Sequence, residues 1–498
     1  MLIELNIPPG VFRAATRYQS AGRWYDTNLI RWVDGNLRPI GGWRAMSGGA
    51  GPAEFSLTGK ARGAHAWRDN TRSPYLAIGT HSKLYAYSGS DVFDITPTGL
   101  ATGRADTTSY TGYGVGAYGR GGYGVPRSTA GATSLATTWT IQNFGQDMLA
   151  VNSDDGRLLK WNLSFSTAAT AVTASAGTIP TSNAAVVVTE ERYAALLGAN
   201  GNPRRVAWSN QEDYTDWQIT ATKTAGDYDL ESVGNLRNGW RVRGGVLLLT
   251  DEDAHLMEYV GPPYVYGFRR VGTGCGVISK HGCVVTDDFA FWMSLGTFYV
   301  YDGYVKTLPC PVADYIFSDW NPVQAEKIFA VRVPAYREVW WFYPSASSTE
   351  CDRYVSFNYA DGVWAIGTCS RTTGVPDGVF SQIFVGADGK MYEHEVGWQY
   401  SGDTPYAESG PTELADGSRV YRLQRLIPDE RTAGQVTAEF TSWFYPNGTS
   451  SSFGPYSMAS PTSVRMTGRN ISVKLKSAGA YDWRVGRFKF DATPLGER

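Results

Sequence analysis

Seven stretches of this chain repeat one local plan: an apolar strand, a turn, and a second strand rich in Tyr or Trp. They begin at Leu76, Leu149, Ala195, Leu247, Phe291, Trp341 and Ile383. The first interval is 73 residues and the next five lie between 42 and 52, the length that one four-stranded propeller blade occupies. Inside "SKLYAY", Leu84 and Ala86 alternate with Tyr85 and Tyr87, which is strand periodicity. Asp-Gly pairs at Asp155-Gly156, Asp302-Gly303, Asp361-Gly362 and Asp388-Gly389 are expected to make type I′ hairpin turns, where positive φ is required. No amphipathic helix of three turns stands out before Tyr400. The expected fold class is all-β: a β-propeller of about seven blade-like repeats, six being possible, with a small C-terminal β-sandwich-like domain. One or two large β-sandwiches with accidental spacing are the competing reading.

The long first interval contains "TGYGVGAYGRGGYGVPR", where Tyr113, Tyr118 and Tyr123 recur every five residues, each followed by Gly. Neither helix nor strand produces that period. A phosphate-binding glycine turn would open a helix, and no helical pattern follows. The stretch therefore reads as an insertion into the first blade, spanning about 98–135. Glycine lets its backbone follow an irregular surface, and tyrosine offers a large ring at low entropic cost. Tyr113, Tyr118 and Tyr123, with Arg120 and Arg127, are the candidate partner contacts.

At 498 residues the chain exceeds what one core usually serves. Residues 1–59 are expected to close the propeller in part, 60–404 to form it, and 405–498 to make the C-terminal β-domain. In that domain Ile471, Val473 and Leu475 alternate with Ser472, Lys474 and Lys476, as in a half-buried strand. Lys474, Lys476, Arg484, Arg487 and Lys489 make it locally basic, either as a solvated face or as a docking face. Aromatic residues reach 13% and charged residues only 18%, which favours strands and interfacial surfaces. A net charge of −2 implies no overall attraction to nucleic acid or anionic membrane. The opening residues lack a basic then apolar leader, and no apolar run approaches the ~20 residues of a membrane span. No targeting peptide or membrane anchor is expected, and five sparse cysteines are expected to be reduced and buried.

Catalytic and metal-binding patterns are thin. "SDDGRLLKW" from Ser153 departs from a sialidase box at Arg157 and Lys160. "DEDAH", Asp251–His255, fits a solvated hairpin turn better than a cation site. "CGVISKHGC" sets His281 between Cys275 and Cys283, but a structural zinc wants a second ligand pair. Glu393 and Glu395 flank His394 on a strand, which would put both carboxylates on one face. With no catalytic constellation, no metal ligands and no cofactor motif, the chain is expected not to be an enzyme.

Several stretches carry a resemblance. "FRAATRYQSAGRWYDTNLIRWVDGNLRPIGGW", "YGVGAYGRGGYGVPR", "WRVRGGVLLLTDEDAHLMEYVG", "GFRRVGTGCGVISKHGCVVTDDFAFWMS" and "GRNISVKLKSAGAYDWRVGRFKFDATPLGER" resemble the tail nozzle or tail-hub proteins of short-tailed bacteriophages, also called packaged-DNA stabilisation proteins. The likeness runs over nearly the full length. It implies a structural virion protein: a homo-hexamer below the head–tail adaptor, a propeller in each subunit, and a central channel through which double-stranded DNA passes without sequence-specific binding. It further implies that the ring retains packaged DNA, conducts it at ejection and anchors a fibre or spike, and that assembly takes place in the bacterial cytoplasm. The alternative is a propeller-type tail protein that binds or hydrolyses host glycans.

Overall fold

A computed structural model describes residues 1–14, 16–48, 54–109, 133–414, 419–446 and 448–496. Seven four-stranded antiparallel sheets follow one another along the chain. They are blades 1 to 7, spanning 61–94, 139–171, 185–229, 236–273, 283–308, 329–368 and 373–394. Blade 7 takes only three strands from its own span; the fourth is Trp43–Ala45, whose Trp43 is paired with His394. Pairing strands from distant parts of the chain in one blade removes an open edge. Each of the seven repeated stretches corresponds to the second and third strands of one blade.

The ring is closed by side-chain packing rather than by a hydrogen-bonded barrel. Among the described residues there are seven apolar clusters, each shared by neighbouring blades. One joins Trp67 and Ala77 of blade 1 to Trp139 and Met148 of blade 2. The last joins Ile383 and Met391 of blade 7 to Leu76 and Ile78 of blade 1. Blade strands are buried on both faces, which explains runs such as Leu247-Leu248-Leu249. Leu248 packs toward blade 3, while Leu247 and Leu249 pack toward blade 5.

Two further sheets form the C-terminal unit. One orders Leu2–Leu5, Phe488–Pro494, Tyr421–Ile427 and Thr462–Gly468; the other includes Trp24–Asn28, Tyr406–Ser409, Asn470–Ser477, Val436–Trp443 and Ser451–Ser457. The N-terminal segment thus contributes a strand to each of these sheets as well as to blade 7. The unit covers the outer edge of blade 6: Thr27 Oγ1 donates to Ile366 O at 2.7 Å, and Asn28 Oδ1 accepts from Thr368 N at 2.8 Å.

Three expectations need correction. The Gly/Tyr stretch does not interrupt blade 1; it lies in the connection from blade 1 to blade 2, after Val92–Asp94 and before Trp139. Among the described residues, Asp34-Gly35 is the one Asp-Gly pair with both residues at positive φ, 51° and 76°. At Asp155, Asp302, Asp361 and Asp388 the glycine alone is left-handed, so these turns are not type I′. Glu393 and Glu395 do not share a face, because Glu395 leaves the strand at φ 60° and turns inward.

Candidate functional site

Antiparallel alternation gives the propeller two faces. On the face where the innermost strands begin, the short 3-10 segment Pro322–Lys327 reaches across the axis. Its Gln324 side chain donates to Thr107 O at 2.9 Å and accepts from Thr107 N at 3.0 Å. Glu326 meets Arg237 of blade 4 at 3.2 Å, and burial raises the Glu326 carboxyl despite the neighbouring Arg237 and Lys280. Lys327 is salt-bridged to Asp106 and donates to Thr349 O at 2.7 Å. Arg62 of blade 1 holds Glu350 at 2.6 and 2.8 Å. Lys280 donates to Ala184 O at 2.9 Å, and burial lowers its ammonium. Blades 1, 4 and 6 are therefore tied across the axis, and this end is closed by buried, paired charges.

The other face is open. A cavity of about 490 Å³ runs inward along the axis, lined by the innermost strands of all seven blades; pockets of this size hold small ligands. Its rim carries Arg241, exposed on blade 4, and Arg332, whose guanidinium is 3.8 Å from the Asp287 carboxylate. Deeper lie His65, whose Nε2 is 2.9 Å from Asn143 Oδ1, and His281, whose Nε2 has no hydrogen-bond partner. Burial, with the nearby Lys280 charge, drops the His281 imidazole to about 4. It is a neutral group at physiological pH.

The residues singled out from sequence fall in several places. Tyr113, Tyr118, Arg120, Tyr123 and Arg127 lie outside the described residues. The described ends of their connection, Thr108–Ser109 and Thr133–Ser134, pair with each other on the closed face. His281 lines the cavity between buried free Cys275 and Cys283; no metal-binding group of His, Cys, Asp or Glu occurs among the described residues. Asp251 accepts from Asn235 N at 2.6 Å in a turn. Glu393 bonds Arg44 at 2.6 Å, whereas Glu395 bonds buried Arg31 at 2.7 Å, and His394 stacks on Trp43 at 5.2 Å. The C-terminal basic residues are paired: Lys474 with Glu408, Lys476 with Glu439, Arg484 with Asp482, and both Arg487 and Lys489 with Glu4. They make no free cationic face. Sequence reasoning passed over Arg62, Arg237, Glu326 and Lys327; the available signal was single charges placed inside apolar runs, as in "AEKIFAV".

No family model and no curated protein matches the chain. Among solved structures, a catalytically inactive virginiamycin B lyase from Staphylococcus aureus with quinupristin is 8% identical, with 70% of this chain and 98% of that chain covered at a TM-score of 0.41. BBS1N in complex with ARL6DN is 12% identical over 73% and 98%, at 0.31. A glycoside hydrolase is 9% identical over 87% and 98%, at 0.27. These are similarities of propeller-type fold, too distant to carry function. They do correct one expectation. The chain was expected not to be an enzyme because signatures were missing, yet neighbours of this fold include a lyase and a glycoside hydrolase, so that inference does not stand.

Proposed function

We propose that this chain is a structural subunit of the tail of a short-tailed bacteriophage: a ring-forming hub or nozzle protein below the head–tail adaptor. The sequence resemblance supplies the family. The observation that carries the ring is a pair of exposed apolar features on opposite faces. On the open face, the hairpin of blade 4, Asp253–Gly261 against Val265–Thr273, ends in Val260 and Tyr264, 57% and 80% exposed. On the closed face, Leu295 and Val323, 71% and 44% exposed, border a recess of about 410 Å³ with Leu135 and Trp320. Exposed apolar patches of this kind mark interfaces. Two different patches on opposite sides suit a head-to-tail contact, the type that closes into rings. The closed end of the propeller agrees with DNA passing between subunits, not through a propeller. The Gly/Tyr stretch is rooted on the closed face and keeps its proposed role as a contact to adaptor, fibre or neighbouring subunit.

The test is a cysteine pair, Tyr264→Cys with Val323→Cys, treated with a short bismaleimide in assembled tails. The reading expects subunit ladders from the pair and none from either single variant. Tails that contain the protein but give no ladder contradict it.

A second reading, binding or cleavage of host glycans, is favoured by the axial cavity, which is open at one end and lined by polar and apolar groups alike. Binding of the purified chain to a host-surface glycan array, or shortening of those glycans, is the corresponding test.

A further inference from the structure

From the open-face cavity we infer a site for an acidic saccharide, with one carboxylated sugar unit entering end-on. The inference rests on the glycan reading and adds the ligand's charge, its orientation and the residues that select it. The first observation is the charge distribution. Arg241 stands at the rim with no carboxylate partner among the described residues. Among the described residues, Arg332 meets one carboxylate, that of fully exposed Asp287, at 3.8 Å. At the opposite, closed end Arg62, Glu326 and Lys327 each meet an opposite charge, whereas the rim has cationic capacity left over. A planar guanidinium matches a carboxylate through two parallel hydrogen bonds.

The second observation is at depth. Half-buried His281 lines a wall of the same cavity. A ligand hydroxyl in the cavity would meet the accessible part of that imidazole. Because the ring is neutral, that hydroxyl meets either a donor or an acceptor, as a sugar OH can. Half-buried Trp240 supplies apolar surface in the same cavity, complementary to the C–H face of a pyranose. A rim that takes a carboxylate, a wall that takes hydroxyls and apolar surface in the same cavity describe an acidic sugar rather than a free inorganic anion.

The experiment compares D-galacturonic acid with D-galactose, which differ at C6 only, binding to the full chain by calorimetry and saturation-transfer NMR. The site predicts a preference of about tenfold or more for galacturonate at low salt, the scale of one charge-assisted contact, shrinking as salt rises. The double variant Arg241→Gln, Arg332→Gln should keep the wild-type melting temperature and lose the preference, and His281→Phe should weaken both sugars. Equal binding of the two sugars, or a preference that survives the double variant, overturns the acidic site while leaving the glycan reading in place. Binding of neither sugar by a chain positive on the glycan array does the same. A chain negative in both assays removes the site and the glycan reading together.

Discussion

Arg31 Nη2 and Glu338 Oε2 lie 3.1 Å apart with 2% and 4% of their side chains exposed. Arg31 also reaches Glu395 at 2.7 Å and lies over the Tyr336 ring at 3.6 Å. One residue of an N-terminal hairpin thus fastens blade 6 to the segment that follows blade 7. Breaking a buried ion pair from one side leaves uncompensated charge. Arg31→Met should therefore cost about 3–5 kcal/mol, read as a lowered urea midpoint. An unchanged midpoint would contradict this buried clasp.

Acid should destabilise the fold earlier than carboxylate protonation alone would. All five histidines, His65, His81, His255, His281 and His394, titrate below the ordinary value, with burial the leading cause at each. The unfolded chain then binds protons near pH 6.5 that the folded chain does not. Stability is full above that pH and falls as pH drops toward each folded value, down to about 4 for His281. His281 accounts for up to about 3 kcal/mol of that loss. Melting curves from pH 7 to 4 should show the decline, and His281→Leu should flatten it.

The seam between blades 1 and 2 leaves no room for a methyl group. A Cβ on Gly79 would sit 2.2 Å from Trp139 Cγ, and one on Gly63 would sit 2.4 Å from Trp139 O. The indole is fully buried and donates to Thr80 O at 2.7 Å. Gly79→Ala should cost about 1–3 kcal/mol or more through overpacking, while Gly362→Ala, which meets nothing within 4 Å, should cost only its backbone strain at positive φ. Equal losses in thermal melts would contradict this seam.

The repeats were legible because a blade's second and third strands are buried on both faces and give long apolar runs. The innermost strands were harder to see. Cys283–Val285 and Thr373–Val375 are three residues each, too short for any period. The triple use of the N-terminal segment left no local trace, since the Leu2↔Asp491 and Trp43↔His394 pairings are fixed by packing between residues hundreds of positions apart. The cavity was half visible: His281 drew notice for its cysteine neighbours, but its placement in one cavity with Arg241 and Arg332 depends on ring closure. The inward turn of Glu395 depends on one positive φ that its residue type does not announce.

Closure of the ring by Trp43–Ala45 gives a further expectation. Trp43 stacks on His394, meets Tyr400 edge-on at 5.6 Å and donates to Ser401 Oγ at 2.8 Å. Trp43→Ala should cost about 3–5 kcal/mol and expose the third strand of blade 7, raising amide exchange over Met391–His394 before the other blades. Protection there equal to that of blade 3 would show that the closing strand is dispensable.

The central proposal is a ring of these subunits in a phage tail. Averaged electron images of virions, with an antibody fragment against this chain marking the density, test it most directly. The account predicts six copies around the tail axis immediately below the adaptor, each showing a seven-bladed propeller, with the DNA path between subunits. Label at fibre tips, a copy number other than six, or no label on the particle would contradict it.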